Sequence, residues 1–390
     1  MHLIETYALN CGAKIGKPYI YDSYIPLPDE QFVSLHTDCK FPAKNYNYWQ
    51  EVIDLIHPIL EKEKIKIVQV GGQKDIKVNK AIDYTGKTTI NQLAYLIKHS
   101  SLHFGSDSLP IHLASVFDVP IVGLYSIIQP ENAGPYFGNK EKQVIFKCYE
   151  RANRKPFYSA DENPKCVNLV NPEEIAEAIL KLLNIKSKNR YETVHMGERY
   201  GKVMLHDFIP DQVVNIPNKD SVLDVRMDYF FSQEALAQQL QVNKCRVFTD
   251  KKISLEILKT FKTSIESLFY IINENDDPSF VIDVASLGIK VVLLSELSEE
   301  EINKKKINYY EHGNIIKLPV ANNELVEKLR QNKNLYYKSC RNIYSSQKIY
   351  SSLAAQKNNL AKNNDFEPVI DCPEFWQEAQ NFFLVKMLDN

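Results

Sequence analysis

The chain has 390 residues, 44% of them apolar and 25% charged, which excludes a disordered polymer and, at roughly 100–200 residues per domain, a single small module. Lys and Arg total 47 against 49 Asp and Glu, a net charge of -2, so the molecule has no global attraction to nucleic acid or an anionic membrane, and any such partner must meet a local patch. No apolar run reaches the ~20 residues of a membrane span, since even the stretch from Phe280 to Leu294 is broken by Asp283 and Lys290.

The first residues, MHLIETYALNCGAKIGK, lack a basic segment followed by an apolar block, so a secretory signal is not expected. Seven scattered cysteines with no C-x-x-C pair predict reduced thiols, a cytoplasmic setting and no structural zinc site. From Gln31 onward short β-branched runs alternate with helical patterns, the signature of a parallel sheet flanked by helices. FVSLH (Phe32 to His36) predicts a strand, YWQEVIDLIHPILEKEK a helix, and KIVQVGG (Lys66 to Gly72) a strand entering a glycine turn. A helix over Thr88 to Ser100, a short strand in SLHFGS, a helix over Leu109 to Phe117 and a buried strand over Pro120 to Ser126 follow. The helix from Asn171 to Ile185 carries an N-capping Asn171, Pro172 in its first position and two glutamates in its first turn.

The pattern predicts an α/β chain of two doubly wound, Rossmann-like domains: residues 1–188, a charged linker over 189–202, residues 203–364, and an amphipathic helix in 365–390. In the second domain VMLHDFI, SVLDVRM, CRVFTD, LFYIIN, KVVLLS and NIIKLP predict strands, and SQEALAQQLQ, SLEILKTFKTSIES, SFVIDVASLG, SEEEINKKKINYYEH and NNELVEKLRQ helices. Two such sheets in tandem predict a cleft between their C-terminal edges and a nucleotide-linked substrate.

Two turns stand out chemically. Gly86, Lys87 and Thr88 put a flexible turn, a cation and a hydroxyl ahead of a helix, and Asp107 and Ser108 precede the helix that carries Pro110 and His112; helix starts attract phosphate through free amides and the dipole. Taken singly, each is also an ordinary capping turn. In order, however, G-K-T at Gly86, then Asp107, Ser108, Pro110, His112, Leu113, Ala114, then Pro130 and Gly134, Pro135, Tyr136 resemble the donor-binding domain of family 9 glycosyltransferases, the ADP-heptose heptosyltransferases. The likeness extends over roughly residues 1–188.

That resemblance implies a GT-B-like architecture and a nucleotide diphosphate sugar as donor substrate, with no separate cofactor and no metal. It implies Thr37 and Lys44 in a loop facing the diphosphate, with Lys44 neutralising the leaving phosphate. Asp107, Ser108, Pro110 and His112 would line the sugar and phosphate pocket, and Gly71, Gly72 and Gln73 would lie near base and ribose. Two departures are clear. Leu109 replaces the family's glycine in D-[ST]-G-P, and the donor-type domain comes first, where a family member would be mid-chain, as a fragment of a longer enzyme would also begin. The second domain is weakly similar to the C-terminal domain of family 4 type enzymes through ENDDPSFVIDVASLGIKVVLLSE and HGNIIKLPVANNELV, with Glu274, Asp276 and Asp283 near the acidic positions.

No general base is inherited by motif. Asp207, Asp224 and Asp228, at expected strand ends of the second domain, are candidates, Asp207 foremost, with Asp107 the alternative; His36 and His206 also fall at strands but are more economically structural. Basic residues from Lys328 to Lys362, interleaved with tyrosines, offer either a stripe for an anionic acceptor or a solvated helix face. The sequence thus predicts a metal-independent hexosyl- or heptosyltransferase-like enzyme acting on a glycan or other hydroxyl acceptor, cytoplasmic or peripheral to the inner membrane face, with nucleic acid the less favoured partner. The rival readings are an inactive scaffold module and a sugar-nucleotide epimerase or hydrolase.

Overall fold

The computed structural model describes residues 1–216, 221–318 and 322–388. Pro319, at the end of the expected strand NIIKLP, and the last two residues of the C-terminal segment lie outside that set. The chain divides into two compact units, Met1–Thr193 joined by the terminal residues from Leu388, and Val194–Met387.

The first unit opens with helix α1 (Leu3–Asn10), which the sequence pattern does not announce because none of its residues is buried. Its six strands are β1 (Phe32–His36), β2 (Lys66–Val70), β3 (Ile82–Asp83), β4 (His103–Ser106), β5 (Ile121–Tyr125) and β6 (Gln143–Lys147). They form one parallel sheet of order β3-β2-β1-β4-β5-β6, the doubly wound arrangement. Central strands β1, β4 and β5 are buried at every residue, as strands covered on both faces require. Helix α2 (Trp49–Lys62) buries Trp49, Val52, Ile53, Ile56 and Leu60, one apolar stripe. Helices α3 (Ile90–His99), α4 (Leu109–Val116), α5 (Pro130–Ala133), α6 (Cys148–Arg151) and α7 (Pro172–Leu182) complete the unit. As predicted, α7 opens on Pro172, and Glu174 Oε1 accepts from Asn171 N at 3.2 Å.

The second unit holds a larger sheet, parallel except for its antiparallel edge pair. The expected linker is in part a strand, β7 (Tyr191–Met196), which spans the division between the units at Thr193. Then come β8 (Met204–Phe208), β9 (Ser221–Arg226), α8 (Gln233–Val242), β10 (Cys245–Thr249), α9 (Leu255–Thr260), β11 (Ile265–Ile272), α10 (Pro278–Ser286), β12 (Val291–Ser295), α11 (Glu299–Lys305) and β13 (Ile315–Lys317). The helix expected over SLEILKTFKTSIES stops at Thr260, because Ile265, Ser267 and Leu268 are claimed by β11 beside β10. Helix α12 (Asn323–Arg330), β14 (Leu335–Ser339), β15 (Arg341–Ser345), β16 (Lys348–Tyr350), α13 (Leu353–Lys357), β17 (Glu367–Pro368), α14 (Pro373–Gln377) and β18 (Phe382–Met387) follow. The eight-stranded sheet runs β13-β12-β11-β10-β9-β8-β15-β16, and a four-stranded sheet runs β17-β14-β18-β7.

Two expectations are corrected here. The amphipathic helix expected in 365–390 is only α14; FFLVKM forms β18, antiparallel to β14, because an unbroken aromatic and β-branched run can bury both faces as an inner strand. Phe382 and Leu384 join Phe375, Trp376 and Tyr337 in a core of their own, each such side chain contributing about 1.5–3 kcal/mol. Nor do the basic residues from Lys328 to Lys362 share one face, since they are spread over α12, three strands and α13. Arg330 pairs with Asp371 and Glu327, Lys357 with Glu374, and Arg341 is buried among carboxylates. Among the described residues no helix is long and apolar enough to cross a membrane.

Candidate functional site

In the first sheet, strand order reverses between β1 and β4, and the crevice of such a fold lies beyond the C-terminal ends of those two strands. The chain leaves β1 through a loop that is pinned at several points. The Thr37 hydroxyl donates to Ile76 O at 3.1 Å and accepts from Gln69 Nε2 at 3.1 Å, while Trp49 Nε1 donates to Thr37 O at 3.2 Å. Asn45 Oδ1 accepts from Cys39 N at 2.8 Å, Lys165 Nζ donates to Asn45 O at 2.6 Å, and Ser126 Oγ donates to Ala43 O at 2.9 Å. This frame presents Lys44 from a single turn of 3-10 helix over Pro42–Lys44.

From β4, Asp107 meets it. Lys44 Nζ lies 2.5 Å from Asp107 Oδ2, and the two side chains are only 15% and 7% exposed, so each charge depends on the other for compensation. One turn into α4, His112 Nε2 lies 3.9 Å from Asp107 Oδ1. Burial lowers the His112 pKa; Asp107 opposes this, and His2 and Lys44 add to it, so the neutral imidazole is favoured at neutral pH. Ser108 is the N-cap of α4 yet makes no side-chain capping hydrogen bond; Pro110 has no N–H and Ile111 N donates to Ser108 O at 3.2 Å, so the Leu109 amide is the first-turn donor turned toward the crevice. Leu109 is 45% exposed, so its side chain turns to solvent instead of filling the core.

The structure therefore brings Lys44, Asp107, Ser108, Pro110 and His112 together and leaves other expected residues elsewhere. Thr37 is at the crevice floor, but its hydroxyl is already used on both sides. At the end of β2, the turn of Gly71, Gly72 and Gln73 wraps an internal anion: Asp75 Oδ2 accepts from Gly72 N at 2.8 Å and lies 3.5 Å from His36 Nε2. Gly71, with φ 144°, leaves room for that carboxylate, since a Cβ there would stand 2.1 Å from Asp75 Oδ2.

Gly86, Lys87 and Thr88 are not brought to the site. They follow β3, three strand spacings or about 14 Å from β4. Lys87 Nζ is spent on Asp83 O at 2.6 Å, and Thr89 caps α3 with Gln92 in a capping box, so that helix start is closed by its own side chains. Asp207 belongs to the second unit, where its Oδ2 accepts from Arg341 Nε at 2.7 Å and Arg226 Nη1 at 3.1 Å. Burial alone would raise its pKa, but Arg341 and then Arg226 outweigh burial and hold the carboxyl below its ordinary range, which makes it a poor base. Asp224 is held by Arg246 at 2.6 and 2.7 Å, and Asp228 by Arg226 at 2.9 and 2.6 Å. His206 donates to or accepts from Tyr344 OH at 3.0 Å, a structural use.

Sequence reasoning missed two groups beneath the crevice. Ser106 Oγ is buried without a hydrogen-bond partner at the C-terminal end of β4, and Tyr125 OH is buried at the end of β5 within hydrogen-bonding reach of Asp107. Burial, then the nearby Asp107 charge, holds the Tyr125 phenol well above its usual range, so it stays protonated. The signal was a polar residue closing an otherwise apolar strand, IVGLY, a cue shared by many structural tyrosines. Among the described residues, no three His, Cys, Asp or Glu side chains converge as a metal-holding group.

Comparison with known proteins sets this geometry in context. A glycosyl transferase family 9 structure from Veillonella parvula is 23% identical over 40% of this chain and 48% of its own, with a TM-score of 0.33. Heptosyltransferase TibC, solved with ADP-D-beta-D-heptose and described as iron-containing, is 19% identical over 42% and 47%, with a TM-score of 0.33. E. coli ADP-heptose lipopolysaccharide heptosyltransferase II is 16% identical over 46% and 51%, with a TM-score of 0.32. The chain thus spans about half the length of these solved relatives. No curated protein matches the sequence. Residues 22–163, the stretch that builds the six-stranded sheet and carries Lys44, Asp107 and His112, match the family model of glycosyltransferase family 9 (heptosyltransferase).

Proposed function

We propose that the chain is a glycosyltransferase that holds a nucleotide diphosphate sugar in the crevice of its first unit and passes the sugar to an acceptor hydroxyl. The observation that carries this reading is the buried Lys44–Asp107 pair at the switch point of a sheet whose sequence matches family 9. A diphosphate arriving there competes with Asp107 for the Lys44 ammonium. As the bond from sugar carbon to phosphate oxygen breaks, Lys44 and the Leu109 amide at the start of α4 offset the charge left on the diphosphate. Asp107, released from Lys44, then accepts the proton of the acceptor hydroxyl as its oxygen bonds the sugar carbon. Asp75, at the end of β2, stands where such folds present a carboxylate to the ribose. Charge offset by Lys44 and amides makes a metal unnecessary to this scheme. The seven unpaired thiols support a cytoplasmic setting.

The test is a thermal-shift screen against ADP, UDP, GDP and CDP sugars, followed by donor hydrolysis in water. One donor class should stabilise the protein and hydrolyse slowly. Lys44→Ala should weaken that donor at least tenfold, about 1.4 kcal/mol, while Asp107→Asn should keep binding and lose turnover. If no nucleotide sugar stabilises the protein, the transferase reading fails and the non-catalytic module, which the exposed Leu109 favours, takes its place.

A further inference from the structure

On the second unit's eight-stranded sheet, one small area of a face gathers hydrogen-bond donors with no acceptors to match them. Strands β8 and β15 are parallel neighbours with His206 beside Asn342, and β16 sets Ile349 beside Tyr344, so these four side chains share one face. Phe208 and Tyr344 mark where that face leaves the core closed by α8 to α11. Beyond α13 the chain returns along β16, where Lys362 N donates to Ile349 O at 2.7 Å. The Lys362 side chain then reaches back over β15, and its Nζ donates to Asn342 Oδ1 at 3.0 Å.

Each of three side chains keeps a donor in hand. Among the described residues, that amide oxygen is the only hydrogen-bond partner of the Lys362 ammonium, and no carboxylate stands within ion-pair distance of it. Burial holds the Lys362 pKa below the ordinary lysine range; the more distant Glu367 opposes this, Lys338 adds to it and Asp365 opposes it. A partly buried ammonium with two unmet N–H groups gains from any anion that reaches it. His206 is buried, with Nδ1 3.0 Å from Tyr344 OH. Burial keeps the Tyr344 phenol protonated, and His206 is its one acceptor among the described residues, so the phenol donates to Nδ1 and the ring carries its own proton on Nε2. Tyr344 thus fixes one edge of the ring and leaves the other free. Asn342, its oxygen taken by Lys362, turns Nδ2 only to Met204 Sδ at 3.7 Å, a weak acceptor. Asp207, next in sequence to His206, faces the other side of the sheet and is spent on Arg341 and Arg226.

An ammonium, an imidazole N–H and an amide N–H therefore lie side by side. A cation finds no lone pair there, whereas an oxyanion finds three donors and one compensating charge. We propose that Lys362, His206 and Asn342 form a binding site for a phosphate-class oxyanion on the face of the second unit's sheet. Exposed Met204 and Ile349 border it, so free phosphate and a lipid phosphomonoester share the chemistry the site would recognise. The inference goes beyond the donor reading and does not rest on it.

The experiment is phosphorus NMR of inorganic phosphate titrated against the full chain carrying Lys44→Ala, which removes the ammonium of the first unit's crevice, with ionic strength held constant by sodium chloride. Phosphate should bind saturably in the millimolar range. Adding Lys362→Gln should weaken it at least about tenfold with the melting temperature in phosphate-free buffer unchanged, while Lys362→Arg, which restores the charge, should stay within about threefold. His206→Phe keeps the ring, removes the donor and should weaken phosphate about fivefold. Vesicles of phosphatidylcholine with and without phosphatidic acid separate the two sources: co-sedimentation that needs both phosphatidic acid and Lys362 assigns a lipid phosphate, and phosphate binding without it assigns the free ion. No saturable phosphate signal in Lys44→Ala, or a signal that survives Lys362→Gln undiminished, would overturn the inference.

Discussion

His103 is fully buried on β4, with Nδ1 2.9 Å from Ser34 Oγ and no partner for Nε2. Burial, reinforced by the nearby His36, depresses its pKa to about 3. The unfolded chain, with an ordinary histidine near 6.5, takes up this proton first, so stability falls as pH drops from about 6.5 to 3 and this group leaves it unchanged above and below that window. Between pH 6.5 and 4 the loss amounts to about 3 kcal/mol. Urea titrations at both pH values should show that drop, and His103→Asn should remove most of it; an equal drop in the variant would assign the acid sensitivity elsewhere. At this scale the candidate site was legible only where a local motif carried it. Asp107, Ser108 and His112 are neighbours in sequence and remain neighbours in space. Asp207 was not readable, because its decisive partner, Arg341, is 134 positions away and reaches it only through the pairing of β8 with β15.

The turns show the same limit at the level of elements. Gly86 has φ 68° and donates its amide to Gly71 O at 2.8 Å, and a Cβ there would stand 2.8 Å from Gln73 Cβ. Its glycine thus serves a tight turn joining the ends of β2 and β3, not a phosphate loop. Gly86→Ala should cost more than about 1 kcal/mol by chemical denaturation yet leave nucleotide-sugar binding within twofold, and a large loss of binding at unchanged stability would restore the phosphate-loop reading. Buried strands such as IVGLY, and helices with caps such as the one after Asn171, were readable because length, periodicity and capping agree there. Strand β3 has two residues and β7 lies in a charged stretch, so neither carries a periodic signal. The segment FFLVKM suits a helix face or an inner strand equally well, and only pairing with β14 decides.

Each unit has its own Rossmann-like sheet and its own apolar core. The Arg341–Asp207–Arg226 group belongs to the second unit's framework, and cutting one member of such a buried set costs about 3–5 kcal/mol. Asp207→Ala should therefore lower the melting temperature by several degrees while the protein that remains folded is still stabilised by nucleotide sugar; loss of turnover at unchanged stability would instead return Asp207 to the chemistry. With a net charge of -2, the chain draws anions from no great distance, and selection among them falls to the crevice. There the Lys44 ammonium already has a resident counterion in Asp107. On the proposed reading a visitor must outbid that carboxylate, which favours dense, multiply charged groups over solitary acids, so the crevice would sort anions by valence before shape is ever consulted.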